Sequence, residues 1–369
     1  MRPVDEAEVA EIVRGANGPL VFKGGGTRGL GKVAGEVVET GGLSGITLYE
    51  PGALTLVVRA GTPVAEVEAR LAAEGQRLAF EVPDMRGLLG TAGASTIGGV
   101  IAANASGPRR VQAGAARDFL LGVRFVDGRG EVVRNGGRVM KNVTGYDLVK
   151  LMAGSRGALG CLTEVSLKVL PIPETQATLV ARGLTPEAAV AAMAQALGSP
   201  FEVTGAAHLD CGAPETRIRI EGMAGSVAYR TGRLQALPGP LWEVATGDLW
   251  PEVRDVLPFA GRAGAVWRLH LKPSDAPGVL VRVRDVFPGV PAIFDWGGGL
   301  VWLLTPADSA VTVRGAVAAT GGHATLWRAA PGMEDVPALP PEAPGVAALT
   351  AGLRRQFDPR ALFAPQGVA

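Results

Sequence analysis

The stretch VFKGGGTRGLGKV, residues 21–33, packs five glycines and three cations into thirteen positions. Two phosphate-loop patterns overlap in it. Gly24, Gly26 and Gly29 spell G-x-G-x-x-G, while Gly26, Gly31 and Lys32 spell most of G-x-x-x-x-G-K. A Walker A loop needs a hydroxyl after its lysine to hold Mg²⁺, and Val33 stands there. A dinucleotide fingerprint needs a helix that opens inside the glycines and turns its N-terminus to the pyrophosphate. The following LGKVAGEVVETGGLSG is too rich in glycine for that, since each interior glycine costs a helix about 1 kcal/mol, and EVVET reads as a short strand. A nicotinamide Rossmann fold and a P-loop NTPase are therefore set aside. The loop can still hold a diphosphate on a nest of main-chain amides. Missing Cβ atoms permit close approach, and Lys23 and Arg28 add positive charge. An ordinary surface turn is the competing reading at this point.

The rest of the chain bounds the answer. Its 369 residues, 47% hydrophobic and 19% charged, suffice for two or three domains around a large core. A net charge of +1 without a basic block makes nucleic acid and anionic membrane poor partners. Cys161 and Cys211 are the only cysteines and form no C-x-x-C, so this chain alone holds neither a zinc ribbon nor an iron–sulfur cluster. A reducing cytoplasm fits. The opening MRPVDEAEVAEIV is acidic and helical, unlike a signal peptide. Residues 87–108 carry no charge, but they are poor in large apolar side chains and read as buried loop and strand, not a membrane span.

Residues 5–14 predict a helix capped by Asp5, with Val9, Ile12 and Val13 on one face. PLVFK, GITLYE and LTLVVRAG read as strands. Thr62 is expected to cap a helix with Pro63 at its first position, striped by Val64, Val67 and Leu71. FLLGVRFVDGRGEVVRN reads as a hairpin around Asp127 and Gly128. A short helix over 144–153 and the strand LTEVSLKVLP follow, closed by Pro171 and Pro173. Beyond these prolines, helices near 186–197 and 222–236 alternate with the strands TRIRIEG, AVWRLHLK, AIFDW, LVWLL and HATLWR. That is an α+β unit on a mostly antiparallel sheet. A proline-rich linker, a helix through Val346, Leu349 and Leu353, and FDPRALFAP end the chain.

Four motifs in order decide between the two readings of the loop. FKGGGTRG, STIGGVIAANASGP, KNVTGYDLVKLMAGSRGALGCLTEVSLKVLP and FDPRALFAP together resemble the FAD-linked oxidases of the vanillyl-alcohol oxidase and p-cresol methylhydroxylase (PCMH) superfamily. Within it the chain is most similar to the smaller FAD-binding subunits of bacterial glycolate oxidases. The resemblance implies an α+β chain with a PCMH-type FAD-binding domain of two α+β subdomains over residues 1–172. It further implies an α+β cap over 173–335 and a C-terminal segment, 336–369, that returns to the FAD domain.

It also implies where FAD sits. The diphosphate falls on Lys23, Gly24, Gly25, Gly26, Thr27, Arg28 and Gly29. Ser95, Thr96, Ile97, Gly98 and Gly99 lie against the diphosphate and ribityl chain. Ala102, Asn104 and Ser106 let the flavin approach main chain, with Pro83 and Asp84 near this shell. Gly157, Gly160 and Leu162 hold adenine and the flavin edge. The family commonly carries Glu where Arg156 stands. All three histidines, His208, His270 and His323, lie beyond the flavin domain, and Cys161 has apolar neighbours, so FAD is expected to be non-covalent.

Oxidising a 2-hydroxy acid takes a cation for the carboxylate, a base for the hydroxyl proton and a hydride acceptor. The period of two puts Arg268 and His270 on one face of VWRLHLK, as carboxylate clamp and base, or else as an ordinary solvated pair. Larger relatives carry a metal-binding H-x-G-D-G-N-x-H strand pair; here Asp295 and Trp302 stand at its histidines, and no metal is expected. Two functions stay open. One is a catalytic subunit oxidising glycolate to glyoxylate on FAD. The other is a flavin-carrying subunit supporting a larger FAD-binding oxidase subunit, with an iron–sulfur subunit passing electrons to quinone, which the degraded metal strand slightly favours. On either, the chain is expected in the cytoplasm, reaching the inner membrane only through its partners.

Overall fold

The computed structural model describes residues 1–31, 33–138 and 145–364. The first helix, Glu6–Gly15, starts where Asp5 accepts from the Glu8 amide, and it buries Val9, Ala10 and Val13. It covers a small unit in which Leu20–Lys23 pairs in parallel with Glu36–Glu39. The glycine loop is thus the connection between two parallel strands, and no helix follows it among the described residues.

Beside this pair lies a five-stranded antiparallel sheet. Its order is Ile46–Glu50, Thr55–Arg59, Cys161–Lys168, Leu120–Val126, Val132–Gly136. Leu56, Val58, Val123, Phe125, Val165 and Leu167 of this sheet pack against Val64, Val67 and Leu71 and against Ile97, Val100 and Ile101. Burial of each such side chain contributes about 1.5–3 kcal/mol.

The second half is built on an eight-stranded, wholly antiparallel sheet. Its order is Glu243–Ala245, Thr175–Arg182, Glu215–Gly222, Val203–Asp210, Ala292–Asp295, Leu300–Thr305, Ala265–His270, His323–Arg328. Strand alternation divides its residues between two faces. On one, Trp267, Leu269, Phe294, Val301 and Leu303 meet the helices Pro186–Leu197, Ala224–Gln235, Ala276–Val286 and Ala310–Ala318. On the other, Ile293, Leu300, Trp302 and Trp327 meet Leu30, Met85 and Leu88 of the first half. Ion pairs join the halves: Arg77 and Arg109 to Glu221 at 2.7 and 2.8 Å, and Arg219 to Glu81 at 2.8 Å. The chain end folds back to the first strand, where the Leu20 amide donates to the Leu362 carbonyl at 2.7 Å and Phe22 meets Phe363 edge-on.

Several sequence expectations need correction. Residues 87–108 contain no strand; they hold the helices Arg86–Leu89 and Ile97–Ala102. Ile97–Ala102 tolerates two glycines because Thr96 caps it, and because a Cβ at Gly98 would come 2.7 Å from that of Ala60. Thr62 caps nothing: its hydroxyl donates to the Arg59 carbonyl and accepts from the Gly45 amide, and the helix begins at Val64. The helix expected over 144–153 is Leu148–Met152, capped by Asp147; Thr144 lies outside the described residues, as do Lys32 of the loop and residues 141–143 of the KNVTG motif. The strands Thr175–Arg182 and Val203–Asp210 were not foreseen.

Candidate functional site: a glycine-lined cleft beside an arginine–tryptophan cavity

The glycine loop closes over the N-terminus of Ile97–Ala102. The Thr96 hydroxyl accepts from the Gly99 amide at 3.3 Å and lies against Gly24, where a Cβ would collide with it. At Gly25 a Cβ would overlap the Ala94 carbonyl oxygen, and Gly26 turns the chain with φ +68°. Only bare main chain fits this cradle. It opens on a cleft of about 370 Å³, within the range of small-molecule sites. Residues 23–29 line it, with Thr96, Gly98, Gly99 and Ala102 on one wall and Gly157, Gly160 and Leu162 on another.

The other residues expected at the cofactor stand outside that cleft. Ser95 accepts a hydrogen bond from the Arg28 guanidinium, and the Pro83 carbonyl accepts another. Burial draws Arg28 down to about 10 despite the nearby Asp84 and Asp255 carboxylates, and its Nε has no acceptor among the described residues. Asp84 turns to Arg86, 2.7 Å away. Ile97 is core. Asn104 accepts from the Arg117 amide, and Ser106 from the Ala116 amide. Cys161 also lines the cleft, but burial pushes its thiol up to about 12, far from a reactive thiolate.

Pro83, Asn104 and Ser106 line a second cavity of about 30 Å³, which shares Arg28 and Ala103 with the cleft. Its far wall comes from the large sheet: Arg268, Asp295, Leu300, Trp302 and Trp327. The Arg268 guanidinium carbon lies 5.3, 5.5 and 5.6 Å from the rings of Trp327, Trp296 and Trp302. No described residue gives Arg268 a hydrogen bond or ion pair to its side chain. Two more arginines converge on the same rings, Arg110 at 4.5 Å from Trp296 and Arg156 at 5.5 Å from Trp327. Burial, then the charges of Arg156 and Arg110, bring Arg268 down to about 9, still protonated at neutral pH. The Trp327 Nε1 donor is buried and has no acceptor among the described residues.

His270 does not line this cavity. Its ring packs on Trp296 with centroids 5.5 Å apart. Burial and the positive charges of Arg268 and Arg110 push it down to about 3. Trp327, Arg110 and Arg156 escaped sequence reasoning as site residues because three distant segments bring them together. A β-bulge opposite Val266 and Trp267, invisible in the sequence, sets Trp327.

The fold and the glycine cradle define an FAD-binding oxidoreductase of the PCMH type, and the comparisons agree. Residues 1–136 match the model of the FAD binding domain family. The chain is 38% identical over 357 residues to the glycolate oxidase subunit GlcE of Escherichia coli (strain K12), covering 94% of this chain and 91% of that one. Over 87 residues it is 46% identical to the glycolate oxidase subunit GlcD of Bacillus subtilis (strain 168), covering 24% of this chain and 18% of GlcD. A solved alkyldihydroxyacetonephosphate synthase shares the fold with a TM-score of 0.73 at 17% identity, over 99% of this chain and 76% of that one. The chain belongs to the FAD-linked oxidoreductase family that includes GlcE, and FAD is its cofactor. No described helix is long and apolar enough to cross a membrane.

Proposed function

We propose that this chain is the flavin-binding subunit of a glycolate-oxidase-type complex and oxidises a small 2-hydroxy acid, glycolate to glyoxylate, at its own FAD. The observation that carries the reading is Arg268, a half-buried guanidinium that no described residue meets with a side-chain hydrogen bond or ion pair, on the wall of a cavity that adjoins the cofactor cleft. A half-buried guanidinium with free donors is a ready seat for an anion. A planar carboxylate meets its fork through two hydrogen bonds, and Trp327 Nε1 offers a third donor. The alternative of a purely supporting flavin subunit leaves these groups unexplained.

The loop amides of residues 24–29 hold the FAD diphosphate, helped by Lys23 and Thr96. Gly157, Gly160 and Leu162 flank the adenine and the flavin edge, and the cofactor is held without a covalent bond. FAD, when bound, supplies the hydride acceptor. Arg268 orients the acid, and the tryptophan walls exclude water. This chain has too few cysteines for a cluster, so electrons leave through partner chains, a larger FAD-binding oxidase subunit and an iron–sulfur subunit.

The test is anaerobic addition of glycolate to the purified FAD-loaded chain. Rapid loss of the oxidised-flavin absorbance band is the expected result. A fully loaded chain whose flavin stays oxidised would return the oxidation to a partner subunit.

A further inference from the structure

The Arg268 cavity holds a second unused group. Of the described side chains on its wall, Asp295 is the only carboxylate, and none is histidine or lysine. Asp295 ends the strand Ala292–Asp295, just before a turn in which Trp296 takes φ +53°. One oxygen accepts from the Trp296 amide at 2.7 Å. The other has no hydrogen-bond partner among the described residues. Arg268, on the next strand but one, forms another part of the same wall. A small acid seated by its carboxylate on Arg268 would share this cavity with Asp295.

We propose that Asp295 is the catalytic base that accepts the substrate hydroxyl proton. This rests on the reading that the chain oxidises a 2-hydroxy acid at its own flavin. The step balances: the O–H proton passes to the free Asp295 oxygen, and the C2 hydrogen leaves with its electron pair to the flavin. The carbon–oxygen bond becomes a carbonyl, so the acid is oxidised by two electrons and FAD is reduced by two. Burial is the first reason Asp295 suits the role, raising it to about 7. The Trp296 amide opposes that rise, Glu81 adds to it, and Arg219 and Arg268 oppose it. A base tuned near the working pH is what proton abstraction needs.

Asp295→Asn tests the assignment, because the amide oxygen can still cap Trp296 and the volume is unchanged. Glycolate should reduce the flavin of the variant about 10²- to 10⁴-fold more slowly than that of the wild type. A second readout is independent of turnover. Oxalate, bound to the oxidised holoprotein slightly above neutral pH, should draw up to about one proton onto Asp295. Calorimetry in buffers of different ionisation enthalpy reads this uptake, and the variant should lose it. Wild-type reduction rate and proton uptake in the variant would overturn the role of Asp295 while leaving the oxidase reading intact. A wild-type flavin that neither glycolate reduces nor oxalate perturbs would remove both.

Discussion

The guanidinium carbon of Arg268 lies 5.3 Å from the centroid of the Trp327 ring, and no described carboxylate pairs with it. Cation–π contact contributes about 2 kcal/mol when desolvated, which holds the arginine in place without satisfying its five N–H donors. Its missing partner defines the first prediction. Charge-assisted hydrogen bonds contribute about 1.5–3 kcal/mol, so Arg268→Gln should weaken oxalate binding roughly 10- to 150-fold. Arg268→Lys should recover only part of this, since an ammonium cannot make the two-pronged contact. Titration of the flavin absorbance with oxalate measures both.

The cofactor cradle makes a separate prediction. Gly25→Ala sets a Cβ onto the Ala94 carbonyl oxygen, and backbone on both sides leaves no flexible atom to give way. The loop must shift where the diphosphate amides are needed. We expect the variant to purify with little flavin and to take up added FAD at least about 10-fold more weakly, with an unchanged far-UV spectrum. Normal flavin content would show that this contact does not shape the site.

The cradle was legible in the sequence because it is local: five glycines in thirteen residues can serve only main-chain geometry. Its exclusion of a Rossmann helix was sound for the same reason. Ile97–Ala102 was missed because glycine lowers helix propensity, yet Gly98 is there to let the helix press on Ala60. The cavity beside the cleft was half legible. Period two put Arg268 and His270 on one face, but Trp296 packs against both and only Arg268 lines the cavity. Val346, Leu349 and Leu353 do form a stripe on the helix Pro344–Phe357, and that stripe is exposed; periodicity finds a face without saying what it faces.

On the proposed function, the cavity favours a small acid. About 30 Å³ is room for roughly two water-sized spheres, walled by Met85, Leu300, Trp302 and Trp327. A two-carbon acid asks the least enlargement of this space, and a five-carbon diacid asks much more. Anaerobic flavin reduction should therefore be fastest with glycolate, slower with D-lactate and at least about 100-fold slower with 2-hydroxyglutarate, the equivalent of about 3 kcal/mol. Faster reduction by the diacid would mean that the cavity opens or that the acid binds elsewhere.

Asp295 also leaves a mark on stability. Its folded pKa is raised to about 7 from 3.8, so between about pH 4 and pH 7 the unfolded chain releases this proton while the folded one keeps it. Stability from this group therefore falls as pH rises through that window and stays low above it. Asp295→Asn has no such proton. The variant should match the wild type near pH 4 and exceed it in melting temperature near pH 8. A constant difference across that range would place the pKa of Asp295 elsewhere.

The ion cluster between the two halves responds to pH with the opposite sign. Burial alone would raise Glu221, but hydrogen bonds from Arg109 and the charges of Arg219, Arg109 and Arg77 bring it well below the usual carboxylate range. Glu81 is likewise lowered against its burial, chiefly by Arg219 and Arg109. Carboxylates depressed in the folded state stabilise fully above their unfolded pKa and lose that contribution as pH falls through the folded one. Glu221→Gln leaves Arg77, Arg109 and Arg219 sharing one carboxylate, and breaking a buried pair costs about 3–5 kcal/mol. Urea unfolding near pH 7 should show a loss of that size, shrinking as the pH is lowered below about 4. Because these pairs fix the face of the large sheet that carries Arg268 and Asp295, the same variant should weaken oxalate binding although Glu221 does not line the cavity; unchanged affinity would show that the apolar contacts among Leu30, Met85, Leu88 and the sheet hold the halves in register on their own.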